Sequence, residues 1–309
     1  MQPENGVSAA PVMGGREWIM LAVLAFLWGA SFFFFKIMVA AHLPVFLIVF
    51  GRVFIAALIL NIWLMIKRDM LPHSWAMWRD FIILGIFNNA VPFALIVCGE
   101  QRLSSGLASI LNATTPVFTI IVAHFYTETE KLSLPKIAGI AAGFAGVMIL
   151  VGGDLFSAPG GHSLVGELAS LGAAVSYAIG GVFGKRFSAI PPLKIATGQI
   201  TSAALVLLPL VLLFDHPWQL PMPGLDVWGA LIGISFFSTV IGYILFFHIL
   251  AVAGATNVLL VTFLVPVTAL LLGWGILGEV ITARSLLGMA VIGLGLASID
   301  GRIFKYLKK

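Results

Sequence analysis

The sequence predicts an all-α membrane protein of ten transmembrane helices, arranged as two inverted five-helix repeats. Three observations carry that prediction: the composition, the number and length of the apolar stretches, and a self-similarity at an offset of about 150 residues. The 309 residues are 60% hydrophobic and only 10% charged, with a mean hydropathy of +1.08. Soluble domains carry roughly 45–50% apolar and about 25% charged residues. The net charge of +4 comes from 17 Lys and Arg against 13 Asp and Glu, too few and too scattered for a nucleic-acid surface. Cys98 is the single cysteine, which excludes an intramolecular disulfide and any CxxC metal site.

A bilayer core requires about 20 mostly apolar residues per helix, because every backbone N–H and C=O must be satisfied inside the segment. Ten stretches meet that need: 18–39, 45–66, 79–99, 104–126, 135–152, 163–186, 193–214, 225–250, 255–277 and 283–300. The first is too long for a signal-peptide core and follows a loose polar tail, so it counts as a helix. Connections are short, leaving no room for a soluble domain. The organisation expected is a cytoplasmic tail over 1–16, a first repeat over 17–152, a second over 163–300 and a basic tail over 301–309.

Lys and Arg positions set the orientation. Thirteen fall on the side of the N-terminus, from Arg16 through Lys67, Arg68 and Arg79 to Lys308 and Lys309, whereas Arg102 and Arg284 alone fall opposite. Both termini are therefore expected in the cytoplasm of an integral inner (plasma) membrane protein, and the even helix count agrees.

Sliding the chain against itself aligns Trp28 and Lys36 with Tyr177 and Lys185, Phe93 with Tyr243, Pro116 with Pro266, and Gly139 and Gly146 with Gly288 and Gly295. Five helices per copy is odd, so the second copy enters the membrane from the opposite face. Secondary transporters use inverted repeats to place a site near the midplane and to exchange access by rocking.

At these residues the chain resembles the EamA-type members of the drug/metabolite transporter superfamily. The first copy has Trp28-Gly29, Phe32, Lys36, Pro44, Arg52, Ser105-Gly106, Thr115-Pro116, Glu130-Lys131-Leu132, Gly139 and Gly146. The second has Gly166-Glu167-Leu168, Ser176-Tyr177-Ala178, Lys185, Pro266, Gly278-Glu279, Gly288 and Gly295. The likeness spans roughly 18–300. It implies ten helices, two EamA repeats, and export or uptake of metabolites such as amino acids, nucleosides or amphipathic compounds. The chain departs where Tyr177 replaces the tryptophan of the first copy, and Glu128 and Glu130 compete for the acidic position ending helix four.

Polar side chains in an apolar wall cost energy unless paired or wetted, so they are the first candidates for a substrate site. They are Asn88 and Asn89 in helix three, Asn112 and Thr115 in helix four, Ser238, Thr239 and Tyr243 in helix eight, and Thr262 in helix nine. Amides both donate and accept, suiting a zwitterion or a polar metabolite. Interhelical hydrogen bonding is the plainer reading of each residue taken singly. Pro116 and Pro266 are expected to kink their helices and free carbonyls. Trp28 and Tyr177 are candidate aromatic walls, while Trp18, Trp75, Trp78, Trp218 and Trp228 suit an interfacial belt. Arg52, about eight residues into helix two, is expected to point inward at a carbonyl, a substrate carboxylate or Glu100. Lys36 and Lys185 can snorkel or serve as gating charges.

No catalytic residue, metal or cofactor is expected; the six histidines form no HExxH-like constellation. With no Walker motif, energy must come from an ion gradient, with a proton as the candidate ion, or from a solute gradient. The leading expectation is a secondary transporter exporting an amino acid or related compound by alternating access. The alternative is translocation of a lipid-linked substrate or a non-transporting membrane subunit. The expected partners are the lipid bilayer and a small-molecule substrate, and not nucleic acid. GxxxG patterns at Gly139, Gly180 and Gly229 suit packing within a monomer or a homodimer seam.

Overall fold

The computed structural model describes residues 14–126, 134–155, 162–258 and 260–300. The expectations for the two tails, for Lys131 and for the competing Glu128 and Glu130 lie outside the described residues. Among the described residues ten long helical segments follow one another: α1 Gly15–Ala40, α2 Val45–Ile66, α3 Trp75–Glu100, α4 Ser105–Tyr126, α5 Leu134–Leu155, α6 His162–Gly184, α7 Pro192–Asp215, α8 Leu225–Ala253, α9 Val261–Leu277 and α10 Ala283–Asp300. No strand occurs among the described residues. Each predicted span has its helix, most ends lying within a few residues of the expected ones; the ninth differs most, a short helix Ala255–Val258 preceding α9 at Val261.

The outer surface is greasy. Phe54, Leu58 and Ile62 stand exposed on one stripe of α2, as do Leu205, Leu208 and Leu212 on α7. Such faces are compatible with lipid and not with water, and the protein is an integral membrane protein with multiple spans.

Equivalent helices of the two halves run antiparallel. At one end of the α2–α7 pair the N–H of Leu47 donates to the Asp215 carboxylate at 2.6 Å; along it Asn61 Nδ2 donates to Thr201 Oγ1 at 2.8 Å; at the other end Lys194 pairs with Asp69. α5 and α10 are likewise antiparallel. A Cβ added to Gly295 would lie 2.7 Å from the carbonyl of Gly139, and one on Gly146 would lie 2.9 Å from that of Gly288. The repeated glycines thus serve close packing inside this chain, because only a residue lacking Cβ lets two backbones come so near.

Three segments depart from α-helical winding into π turns: Ile86–Ala90 in α3, Val211–Asp215 at the end of α7, and Ile234–Ile241 in α8. The first and third sit at corresponding places in the two halves and carry the polar clusters of helices three and eight. A π turn widens the helix by one residue and turns side chains and carbonyls out of their α-helical places, and such turns collect at functional sites.

Candidate functional site

The site is built where α1, α2, α3, α6 and α8 meet. From the π turn of α3, Asn89 is fully buried and its Oδ1 accepts a hydrogen bond from the Tyr243 hydroxyl at 3.0 Å, joining the two halves. In the π turn of α8, the Thr239 hydroxyl donates to the Ile234 carbonyl at 2.9 Å and accepts from Arg52 Nε at 2.9 Å. Ser238 donates to the Leu27 carbonyl at 2.6 Å, tying α8 to α1. Arg52 is 5% exposed, so its charge is held inside the bundle.

Aromatic rings close around these groups. The Arg52 guanidinium carbon lies 3.7 Å from the centre of the Phe93 ring and 5.2 Å from that of Phe35. Phe93 meets Tyr177 edge-on at 6.4 Å, and Trp28 meets Tyr243 edge-on at 6.5 Å and stacks on Phe246 at 5.4 Å. Gly242 makes room for the indole, since a Cβ there would stand 2.6 Å from Trp28 Nε1. Trp28, Tyr177 and Tyr243 remain only partly buried. The result is a polar floor of Arg52, Asn89, Ser238 and Thr239 within aromatic walls, contributed by both halves of the chain.

The EamA-like transporter family model matches the chain twice, over residues 16–152 and 164–299. The chain belongs to the EamA-like transporter family. Among curated relatives, the uncharacterized transporter YoaV of Bacillus subtilis is 28% identical over 282 residues, covering 90% of this chain and 95% of YoaV. An uncharacterized transporter of Archaeoglobus fulgidus is 27% identical, covering 91% and 97%. The uncharacterized inner membrane transporter YedA of Escherichia coli is 28% identical, covering 88% and 86%. A solved crystal structure shares the fold at a TM-score of 0.65 and 19% identity, covering 92% of this chain and 96% of that one. This EamA-like chain is a membrane transporter rather than an enzyme.

Other sequence-nominated residues of the EamA-like protein are placed elsewhere. Asn88 turns away from Tyr243 and donates to Gln199 Oε1 on α7 at 3.0 Å. Thr115 donates to the Asn112 carbonyl at 2.7 Å, the acceptor that Pro116, lacking an N–H, leaves unserved. α4 is interrupted just there, between Asn112 and Thr115, whereas α9 continues through Pro266. The Asn112 side-chain oxygen is buried without a hydrogen-bond partner. Thr262 is half-buried on α9, and Lys185 stands exposed on the 3-10 turn Lys185–Phe187 after α6. Arg52 points inward, to Thr239 and Phe93 rather than to Glu100.

Lys36 does not simply reach for the membrane surface. Its ammonium donates to the main-chain carbonyls of Glu100 at 2.7 Å and Leu103 at 2.6 Å, clamping α1 to the turn between α3 and α4. Close by, Gly278 ends α9 in a left-handed conformation at φ 68°, and the Glu279 N–H bonds back to Gly273 at 3.0 Å. That turn delivers the Glu279 carboxylate to the start of α4, where it accepts from Ser105 N at 2.8 Å and Ser105 Oγ at 2.7 Å. Family-motif residues of the two halves therefore touch, a carboxylate satisfying helix-end donors. Sequence reasoning missed Gln199 and the Ser176 hydroxyl, which donates to Phe87 O in the π turn at 2.8 Å. Gln199 carried a signal, a lone amide in an apolar run.

Proposed function

We propose that this EamA-like transporter is a secondary transporter that moves a small organic metabolite, an amino acid or related compound in the direction of export, by alternating access. The first repeat spans 17–152 and the second 163–300, with inverted topology, both termini in the cytoplasm and the chain in the inner (plasma) membrane. The substrate sits between the repeats, and an ion gradient or an exchanged solute supplies the energy. The single observation that carries this reading is the inter-repeat crossing, in which Tyr243 reaches Asn89 and Arg52 reaches Thr239. Rocking one repeat against the other would make and break those bonds, as alternating access requires.

Solute counterflow in proteoliposomes tests the reading, because it needs only binding and alternating access. Vesicles are preloaded with unlabelled amino acids, nucleosides or amphipathic cations, and entry of the matching tracer is followed without an imposed gradient. Tracer accumulation with one pool, absent from protein-free vesicles, is the expected result. Correctly inserted protein that gives none with any pool would refute it.

A further inference from the structure

We propose that Arg52 anchors a carboxylate of the transported solute, and that the solute's amino group is dispensable for recognition; this rests on the transporter reading above. Arg52 lies about 10 Å along α2 from its first residue, at a rise of 1.5 Å per residue, and is 5% exposed. A cation at that depth is costly unless it is paired. No carboxylate pairs with it among the described residues; Asp69 pairs with Lys194, and Asp80 with Arg79 and Arg186. A guanidinium has five N–H donors in a planar fork. Nε is spent on Thr239 Oγ1, and Phe93 covers the ring-like face of the plane. A π face accepts no in-plane hydrogen bond, so the edge of the fork retains the geometry that binds a carboxylate bidentately.

A second group points the same way. Asn89 Nδ2 is buried and has no hydrogen-bond partner, although its own Oδ1 is held by Tyr243. The amide is thereby oriented, leaving a fixed donor to a second acceptor. Tyr177 and Tyr243 both lie within electrostatic reach of Arg52. The donors left unspent at the crossing are those of the Arg52 fork and Asn89 Nδ2, the complement of an anion, while the partly exposed Trp28 and Tyr177 offer apolar surface to a side chain. Among the described residues no acidic side chain takes part in the hydrogen bonds of this cluster, so no carboxylate is placed there to hold an ammonium.

Counterflow confined to the amino-acid pool is the first expected result. For the amino acid that drives it best, the decarboxylated amine and the methyl ester should compete at least about 30-fold more weakly, the scale of losing one partner of a buried charge pair. The deaminated acid should compete within about 5-fold of the parent, since it keeps the charged contact. Arg52→Gln should lose carboxylate transport and Arg52→Lys should retain part of it. Thr239→Asp guards against a mere folding defect: it sets a carboxylate against Arg52 within the chain, so transport should fall at least about 10-fold while the melting temperature in detergent holds or rises. Counterflow with nucleosides or cations, or chloride-dependent transport of a solute lacking a carboxylate, overturns the assignment and leaves the transporter reading standing. So does an amine that competes as well as its parent, or wild-type carboxylate transport by the Thr239→Asp protein. No counterflow with any pool overturns both.

Discussion

Where α5 meets α10, backbone touches backbone through Gly139, Gly143, Gly146, Gly288 and Gly295; where α2, α3 and α8 meet, side chains touch through Arg52, Asn89, Thr239 and Tyr243. The first contact gains dispersion from close approach, which needs no water and tolerates no added atom. The second gathers donors and acceptors whose hydrogen bonds are incomplete, Asn89 Nδ2 among them. In lipid, where apolar surface alone does not drive helices together, the glycine seam can hold the fold while the polar crossing is left free to change partners. The two kinds of interhelical contact divide the labour: one brings backbones into close packing, and the other leaves polar groups with unspent hydrogen-bonding capacity, which is where the proposed binding falls.

Enlarging a glycine of the seam should do the greatest damage. Gly295→Val places a Cβ 2.7 Å from the Gly139 carbonyl and 2.9 Å from the Gly143 nitrogen, both backbone atoms that cannot turn aside. A loss of at least about 3 kcal/mol is expected, at the upper end of overpacking costs, seen as a collapsed monodisperse peak and a lowered Tm in detergent. A variant as stable as the parent would mean that the seam is looser than these distances imply.

At the crossing, Tyr243→Phe should have a smaller effect of a different kind. It removes the donor to Asn89 Oδ1 while keeping the ring against Trp28. Stability should fall by only about 0.6 kcal/mol, the average for such bonds in membranes. The transport KM should rise about 3- to 10-fold, the worth of one hydrogen bond. Should Tm drop as far as in Gly295→Val with KM unmoved, Tyr243 belongs with the scaffold. The smallest effect is expected at Gly229, where an added Cβ meets nothing within 4 Å. Gly229→Ala should change Tm and KM within error, about 0.5 kcal/mol or less; a marked change would show that the exposed Gly229 end of this GxxxG pair, whose Gly233 packs on Phe34, is covered by another molecule.

Much of this was legible in the chain. The ten apolar runs became ten helices because lipid permits little else, and Asn89, Tyr243 and Arg52 declared themselves as polar groups too costly to face hydrocarbon. Other polar residues were indistinguishable from them in sequence. Thr115 stands beside a proline and serves the Asn112 carbonyl, whereas Thr239 stands in a π turn and meets Arg52. Both are threonines in apolar runs, and only the partner that arrives from another helix separates them.

Span number, the two repeats and their antiparallel sense are properties of local hydropathy and of an odd number of crossings, so composition and spacing were enough to determine them. Which face of each helix turns inward, the π turns at Ile86–Ala90 and Ile234–Ile241, and the meeting of Glu279 with Ser105 were decided by the tertiary structure. These depend on contacts between residues far apart in the chain, 89 positions for Ser176 with Phe87 and 174 for Ser105 with Glu279. An α-helix satisfies its own backbone and carries little information about its neighbours, so the choice among faces is made only when two helices pack.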